Sequence, residues 1–521
     1  MRGAIAAGHP LTAEAGARVL AEGGSAVDAC IAASLASWVT ESMLSGPGAG
    51  GFFLVHEAAS ARTRLADFFV CAPGLGAERR ERAPMHQVDV AFDPDSSQAF
   101  SIGAASCAVP GAPKGLEEVH RRFGRLPWRE LAQPAIELAR RGVEITPAQD
   151  FMHLILDPIL RHNAEGRRVF EKDGRRYRSG DVIRHPDLVG TIEQLAEEGA
   201  GALYGGDLGR RLVTYIQREG GAITREDIER YRVVWRRPVR SRYRACEFVS
   251  NPPPSSGGIL VAYGLRLLDG LGEGGSPGSV PALARMIEVM REQTRARAGR
   301  FSADLRRGGL ATKLLAGDSI EQAAARVLAA EPGLAEPGRP TGTSHISVVD
   351  SSGNAASLTC SLGSSSGVVV PDTGIHLNNM LGEDDLVGAG ERPGERLTSM
   401  MAPSIVFAGG RPRLVLGSAG SVRLRGAIMQ TVVNAIGHDM PVEEAVTRAR
   451  VHLDEPIVQC EGGEDVDPGT LDDLERLGYE LVRWRDRNLF FGGVSAVEVR
   501  SDGTLAAAGD PRRGGHGMVV E

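Results

Sequence analysis

Residues 331–362 constrain this chain more than any other stretch. Glu331-Pro332-Gly333-Leu334-Ala335-Glu336-Pro337-Gly338-Arg339-Pro340 places three prolines and two glycines within ten residues. Proline lacks a backbone N–H and clashes with a preceding helical turn, so the stretch suits neither a helix interior nor a central strand and reads as a loop. Thr341-Gly342-Thr343-Ser344-His345-Ile346-Ser347-Val348-Val349-Asp350 follows. Here Ser344, Ile346 and Val348 share one face of a strand, while His345, Ser347 and Val349 take the other. Ser351-Ser352-Gly353-Asn354 supplies residues that accept positive φ, and Ala355 to Leu362 reads as the returning strand of a β-hairpin.

A loop ending in Gly342, with a hydroxyl residue at the head of a buried strand, is what a self-cleaving nucleophile requires. The Thr343 hydroxyl can attack the Gly342 carbonyl, which has no side chain to obstruct it, and water then opens the resulting ester. The freed α-amine titrates near ~8, so at neutral pH enough of it is neutral to take the proton from its own hydroxyl. Spacing alone leaves the plain alternative standing, because Gly-Thr at the start of a strand is also an ordinary turn.

The remainder of the chain narrows the class. At 521 residues and 42% hydrophobic it can bury a large core, and length alone suggests two or more domains. Net charge is −7, and the only lysines are Lys114, Lys172 and Lys313; the dispersed arginines form no nucleic-acid stripe. No leader-like run opens the sequence and no stretch of ~18 uninterrupted apolar residues follows, so no membrane segment is expected, and the protein is expected to be cytoplasmic unless the sequence is trimmed, in which case export stays open. Cysteines 30, 71, 107, 246, 360 and 460 include no C-x-x-C pair and read as free thiols. The twelve histidines show no ligand spacing, so no metal or cofactor is expected, and His345 reads as a hydrogen-bonding neighbour of the nucleophile.

Thr12 is expected to cap a helix through Ala21, and a buried helix to run from Ser25 to Val39. Gly46-Pro47-Gly48-Ala49-Gly50-Gly51 is not a dinucleotide loop, because it follows a helix and leads into the strand Phe52 to His56; close backbone packing explains it better. Further helices are expected over 117–122, 128–141, 189–198, 206–219, 259–268, 282–300, 442–450 and 468–477, with a polar surface excursion over 164–181. Strands are expected over 240–249, 403–407, 413–416, 494–499 and 505–508. Gly417-Ser418-Ala419-Gly420-Ser421 then leads into a helix from Val422 to Ala435. Backbone N–H groups at such a start can hold an oxyanion, although a plain capping loop would look the same.

Thr343-Ser344-His345-Ile346-Ser347-Val348-Val349-Asp350 with Gly353-Asn354, then Gly374-Ile375-His376-Leu377-Asn378-Asn379, resembles the start of the small subunit of γ-glutamyltranspeptidases. Glu22-Gly23-Gly24-Ser25-Ala26-Val27-Asp28-Ala29, Val109-Pro110-Gly111, Phe123-Gly124-Arg125-Leu126-Pro127-Trp128, Pro252-Pro253-Pro254-Ser255-Ser256-Gly257-Gly258 and Gly417-Ser418-Ala419-Gly420 follow in the family's order. The resemblance implies one α+β domain, a four-layer αββα sandwich. It further implies cleavage between Gly342 and Thr343 into parts 1–342 and 343–521 that stay together as a heterodimer, with higher oligomers open. The activity implied is acyl transfer from a small amide to water or an amine. Thr343 takes the nucleophile position, Gly420 and Ser421 the oxyanion positions, and Ser361 the place of a supporting threonine.

The substrate clamps depart from the family pattern. In Asp67-Phe68-Phe69-Val70-Cys71-Ala72-Pro73, Phe69 occupies the position of an arginine that binds an α-carboxylate, and an aromatic cannot form that bidentate pair. Thr398 and Ser399 stand for a paired serine motif, Gly363 for an asparagine, Met380 for a glutamine or glutamate, and Glu383 for the acidic position, with Asp384 and Asp385 beside it. An unpaired buried charge is costly, so an ordinary γ-glutamyl donor is expected to bind poorly and an acylase with an apolar pocket including Phe69 and Met380 is expected instead. A true γ-glutamyltransferase or glutathione hydrolase, and a catalytically silent relative kept for binding, are the alternatives.

Overall fold

The computed structural model describes residues 2–77, 83–93, 96–329, 343–383 and 392–521 of the chain. The expected hairpin forms: strand Ser344–Asp350 pairs antiparallel with Ala355–Ser361, and both are buried at every position. Each lies near the middle of a seven-stranded antiparallel sheet ordered Val234–Arg236, Arg62–Phe68, Gly50–Glu57, Ala355–Ser361, Ser344–Asp350, Gly3–Ala7 and His516–Val520. A second sheet of six strands runs Val239–Tyr243, Cys246–Ser250, Ser404–Ala408, Arg411–Ala419, Gly493–Val499 and Leu505–Gly509.

Alternation decides what each face of the hairpin meets. Ile346 and Val348 enter a core shared with the helices Pro10–Ala21, Ala26–Thr40 and Trp128–Arg141. On the other face Val349 joins Phe52, Leu54, Phe69, Met380, Ile405, Val415 and Val497 in a core between the two sheets. A third core lies between the second sheet and the helices Gly257–Leu271, Val280–Ala296 and Leu424–Val432. Full burial of one such aromatic or branched side chain stabilises the fold by about 1.5–3 kcal/mol, which favours this register over one that exposes a face.

Several local expectations need correction. The cap of Pro10–Ala21 is His9, whose Nδ1 accepts from Leu11 N at 3.1 Å; Thr12 lies within the helix and bonds Thr40 Oγ1 at 2.7 Å. Ser25 does cap Ala26–Thr40, with Asp28 completing the capping box. The single strand expected over 240–249 is two strands, because Arg244 takes φ 53° and turns the chain back. The expected surface excursion holds a helix, Ala164–Phe170, anchored by buried Phe170. The helix expected from Val422 is a 3-10 turn, Ser421–Arg423, then an α-helix, Leu424–Val432, then a π turn, Val433–Gly437. The glycine run before Gly50–Glu57 packs closely as expected: a Cβ on Gly48 would stand 2.1 Å from the His376 carbonyl oxygen. All six cysteines are free, and no helix among the described residues is long and apolar enough to cross a membrane.

Candidate active site

Thr343 immediately precedes the strand Ser344–Asp350, and register places it opposite Ser361, since Ser344 pairs with Cys360. It is buried, and its Oγ1 donates to Ser361 Oγ at 3.4 Å. Ser361 Oγ in turn accepts from the Gly363 N–H at 2.8 Å. Gly342, the other side of the expected cleavage point, lies outside the described residues, as do Asp384 and Asp385.

The faces of the hairpin orient the site. His345 meets the second sheet: a Cβ on Gly417 would touch its ring at 2.2 Å, and Ser347 Oγ donates to Ser495 O at 3.0 Å. Thr343 shares this face by the two-residue period. His345 itself bonds Thr359 at 2.7 Å and Ser347 at 3.0 Å, so it is a link between strands and not a hydrogen-bonding neighbour of Thr343. Burial lowers its pKa to about 3 and keeps it neutral.

Three residues beyond Gly417 the chain leaves the second sheet at Gly420, with φ 122°, and Ser421 follows at φ 54°. A positive φ is uncommon and strained for a residue with a side chain, and such strain gathers at functional turns. Gly420 must be glycine for a second reason: an added Cβ would stand 2.9 Å from Gly492 Cα. The turn thus stands just before the 3-10 turn Ser421–Arg423 and the helix Leu424–Val432.

The remaining expected residues fall into two groups. Glu383 sits beside Ser361 through Ser364, whose N–H and Oγ donate to its Oε1 at 3.1 and 2.9 Å. Gly363 has φ 72°, and a Cβ there would lie 2.1 Å from Asn379 Oδ1, so the Asn379 amide fills the space that a side chain at 363 would need. Phe69 and Met380 are both buried in the intersheet core, with Phe69 stacked on Phe52 at 5.4 Å. Ser399 is buried, and its Oγ accepts from Met401 N at 3.0 Å; Thr398 is half-buried beside it. The turn at Ser255 and Ser256 donates to Ser399 O at 3.0 and 3.1 Å, so the proline-rich turn both starts a helix and buttresses this segment.

Arg396 is a cation beside position 69, and although its Nε has only an ion pair with Asp67, its Nη donors are engaged. They reach the Phe69 carbonyl, Tyr231 OH at 2.7 Å, Arg232 O at 2.7 Å and Asp67 O at 3.2 Å. Buried Asp67 faces it and also pairs with Arg236 at 2.6 Å. Among the described residues no group of three or more His, Cys, Asp or Glu is arranged to hold a metal ion.

Sequence reading missed Glu41, Ser344 and Arg513. Glu41 caps the end of Ala26–Thr40 and is buried, with Oε1 accepting from Ser344 Oγ and Oε2 from Thr12 Oγ1, both at 3.2 Å. Burial raises its pKa to about 7 against the opposing effect of those hydroxyls and of Arg513. One signal was available: Glu41 is the only charged residue between Asp28 and His56.

A buried hydroxyl at a strand head, on a face of one antiparallel sheet packed against a second, is the arrangement that an N-terminal nucleophile hydrolase uses. The gamma-glutamyltranspeptidase family model matches residues 12–520, and the chain belongs to that family. It is 32% identical to the Acylase ACY 1 proenzyme of Pseudomonas sp. (strain SE83), covering 100% of this chain and 94% of that one. It is 30% identical to the Glutathione hydrolase proenzyme of Pseudomonas aeruginosa, covering 100% and 95%. Among solved structures, the cephalosporin acylase from Bacillus halodurans shares the fold with a TM-score of 0.86 at 24% identity, covering 100% of this chain and 96% of that one. The chain is accordingly a hydrolase of the family.

Proposed function

We propose that the chain is a precursor that cuts itself between Gly342 and Thr343, and that the mature enzyme is an acylase for amides with an uncharged acyl group. The observation that carries this reading is Thr343, buried at the head of its strand with Oγ1 on Ser361. In the first step Thr343 Oγ bonds to the Gly342 carbonyl carbon, the Gly342–Thr343 C–N bond breaks, and the hydroxyl proton passes to the departing nitrogen. Water then hydrolyses the ester, leaving a Gly342 carboxylate and a Thr343 amine, so parts 1–342 and 343–521 remain as one helix–sheet–sheet–helix sandwich of four layers. In turnover the neutral amine takes the Thr343 proton while Oγ attacks the substrate amide. The N–H groups of Gly420 and Ser421 face the oxyanion, where losing one donor costs about 3 kcal/mol. The leaving amine departs with that proton, and water or an acceptor amine releases the acyl group.

Phe69 and Met380, both apolar, stand at positions where the family's clamps are polar, and the Nη donors of Arg396 are already bonded to the protein. A second reading, a γ-glutamyl hydrolase or transferase, is favoured by Glu383 beside Ser361 and by the relatives named glutathione hydrolases. Comparing γ-glutamyl-p-nitroanilide with uncharged acyl anilides separates the two. The acylase reading expects kcat/KM at least about tenfold higher for an uncharged donor, about 1.4 kcal/mol in the transition state, and a preference for the glutamyl compound overturns it. On a denaturing gel the 55.2 kDa chain should give fragments of roughly 36 and 19 kDa, in proportion to residue number. Thr343→Ala should remain a single band; a wild-type chain that stays whole would favour a silent relative.

A further inference from the structure

We propose that Glu41 is a positioning residue for the nucleophile, fixing the backbone on the C-terminal side of Thr343 by holding Ser344. The inference rests on Thr343 being the nucleophile. Alternation puts Thr343 and Ser344 on opposite faces of the sheet. Thr343 shares the face of His345 and Ser347, which meets the second sheet, while Ser344 looks toward the helices and donates to Glu41 at 3.2 Å. The attack angle of Thr343 Oγ depends on that backbone, and Ser344 is the first residue behind it that a side chain grips.

The grip is built from three separate parts of the chain. Glu41 comes from the end of Ala26–Thr40, where its backbone N–H donates to Ser37 O at 2.8 Å and its carbonyl accepts from Ser45 N at 3.0 Å. Thr12, in the first turn of Pro10–Ala21, donates to the other carboxylate oxygen. Gly8 closes the third side: a Cβ there would lie 2.4 Å from Glu41 Oε1, so the backbone before that helix reaches the carboxylate only because residue 8 is glycine.

Arg513 is the charged side chain whose field reaches Glu41. It also lies beside the glycine turn, since a Cβ on Gly420 would lie 3.7 Å from its Nη2. Its Nε has no hydrogen-bond partner among the described residues, and its Nη2 makes a long contact, 3.5 Å, to Leu489 O. Its own pKa falls to about 10 through burial, with Asp510 and Glu41 opposing that fall. His9, the cap of the same helix as Thr12, is held neutral by burial, with its pKa lowered to about 4. Glu41 therefore changes charge near neutrality while these neighbours keep theirs. As a carboxylate it accepts a charge-assisted bond from Ser344; as an acid it accepts a weaker one. Positioning of Thr343 should tighten as pH rises through about 7.

The test follows conversion of full-length precursor on a denaturing gel at pH 5.5 to 8.5, for wild type, Glu41→Gln, Ser344→Ala and Thr343→Ala. Loss of a bond to a charged group predicts conversion slowed about tenfold to a hundredfold at pH 8 for Ser344→Ala, with its melting temperature within a few degrees of wild type. Wild-type conversion should rise through an inflection near pH 7, and Glu41→Gln should lack that inflection. A residue that merely stabilised the fold would move the melting temperature and leave the profile unchanged. Wild-type rate and profile in both Glu41→Gln and Ser344→Ala overturn the proposal; should Glu41→Gln fail to fold, Ser344→Ala decides it alone. If the wild type never converts, or Thr343→Ala converts, the nucleophile assignment fails instead.

Discussion

Arg512 and Arg513 are adjacent in sequence, equally buried, and opposite in circumstance. Arg512 pairs with Glu461 at 2.7 Å and Asp510 at 3.1 Å, and donates to Val446 O at 3.1 Å and Arg448 O at 2.8 Å. Arg450 completes the set, pairing with the other oxygen of Asp510 at 2.7 Å. Burial alone would pull the Arg512 guanidinium down, but these carboxylates more than offset it and hold it above its ordinary value. Arg513 lies beside the glycine turn with an unmatched Nε, the attraction of Asp510 and Glu41 does not offset its desolvation, and burial prevails. A buried ion network that satisfies every atom ties strands and loops into one arrangement. A buried cation left partly unsatisfied marks a place where the fold retains electrostatic cost.

The most severe test of this contrast is the same substitution at both positions. Arg512→Met strands Asp510 and Glu461 and should lower unfolding free energy in urea by about 3–5 kcal/mol, whereas Arg513→Met should cost about 1 kcal/mol or less. Next comes the pH dependence of Glu41. Its folded pKa lies above its ordinary value of 4.5, so between pH 4.5 and about 7 the folded state binds the extra proton and stability falls as pH rises. Glu41→Gln should remove that slope, becoming more stable than wild type by an amount on the order of 1–3 kcal/mol at pH 8 while the two converge near pH 4, as read by thermal unfolding. Thr12→Val deletes one donor to Glu41 and the partner of Thr40. It should cost about 1 kcal/mol and move the inflection in precursor conversion to higher pH. The smallest effect belongs to an exposed pair: Arg18→Ala breaks contacts to Glu22 and Glu137 with half-exposed partners and should change stability by less than about 1 kcal/mol.

The hairpin of Ser344–Asp350 with Ala355–Ser361 was legible because its cause is local. A proline-rich loop ends, alternation begins, and Gly353 and Asn354 permit the turn. The Ser25 cap and the helix Trp128–Arg141 were legible for the same reason. Strands Gly3–Ala7 and His516–Val520 were not read. Five residues of Gly, Ala and Ile, or of His, Gly, Met and Val, carry no periodic signal; Gly3–Ala7 becomes a strand on the edge that Ser344–Asp350 offers, and His516–Val520 on the edge that Gly3–Ala7 offers in turn. Thr12 misled as a helix cap because its hydroxyl found Thr40 and Glu41, partners 28 and 29 residues away.

Sequence by itself determined the order of elements around Thr343, the presence of a hydroxyl where a nucleophile is needed, and the absence of an arginine at position 69. Those follow from residue type and short-range backbone preference. Tertiary structure alone decided that Ser361 meets Thr343, that Asn379 fills the space beside Gly363, and that Glu41, some 300 residues earlier in the chain, holds Ser344. Burial and the pairing of distant strands set those contacts, and the charge of a carboxylate near neutral pH depends on them and not on its neighbours in sequence.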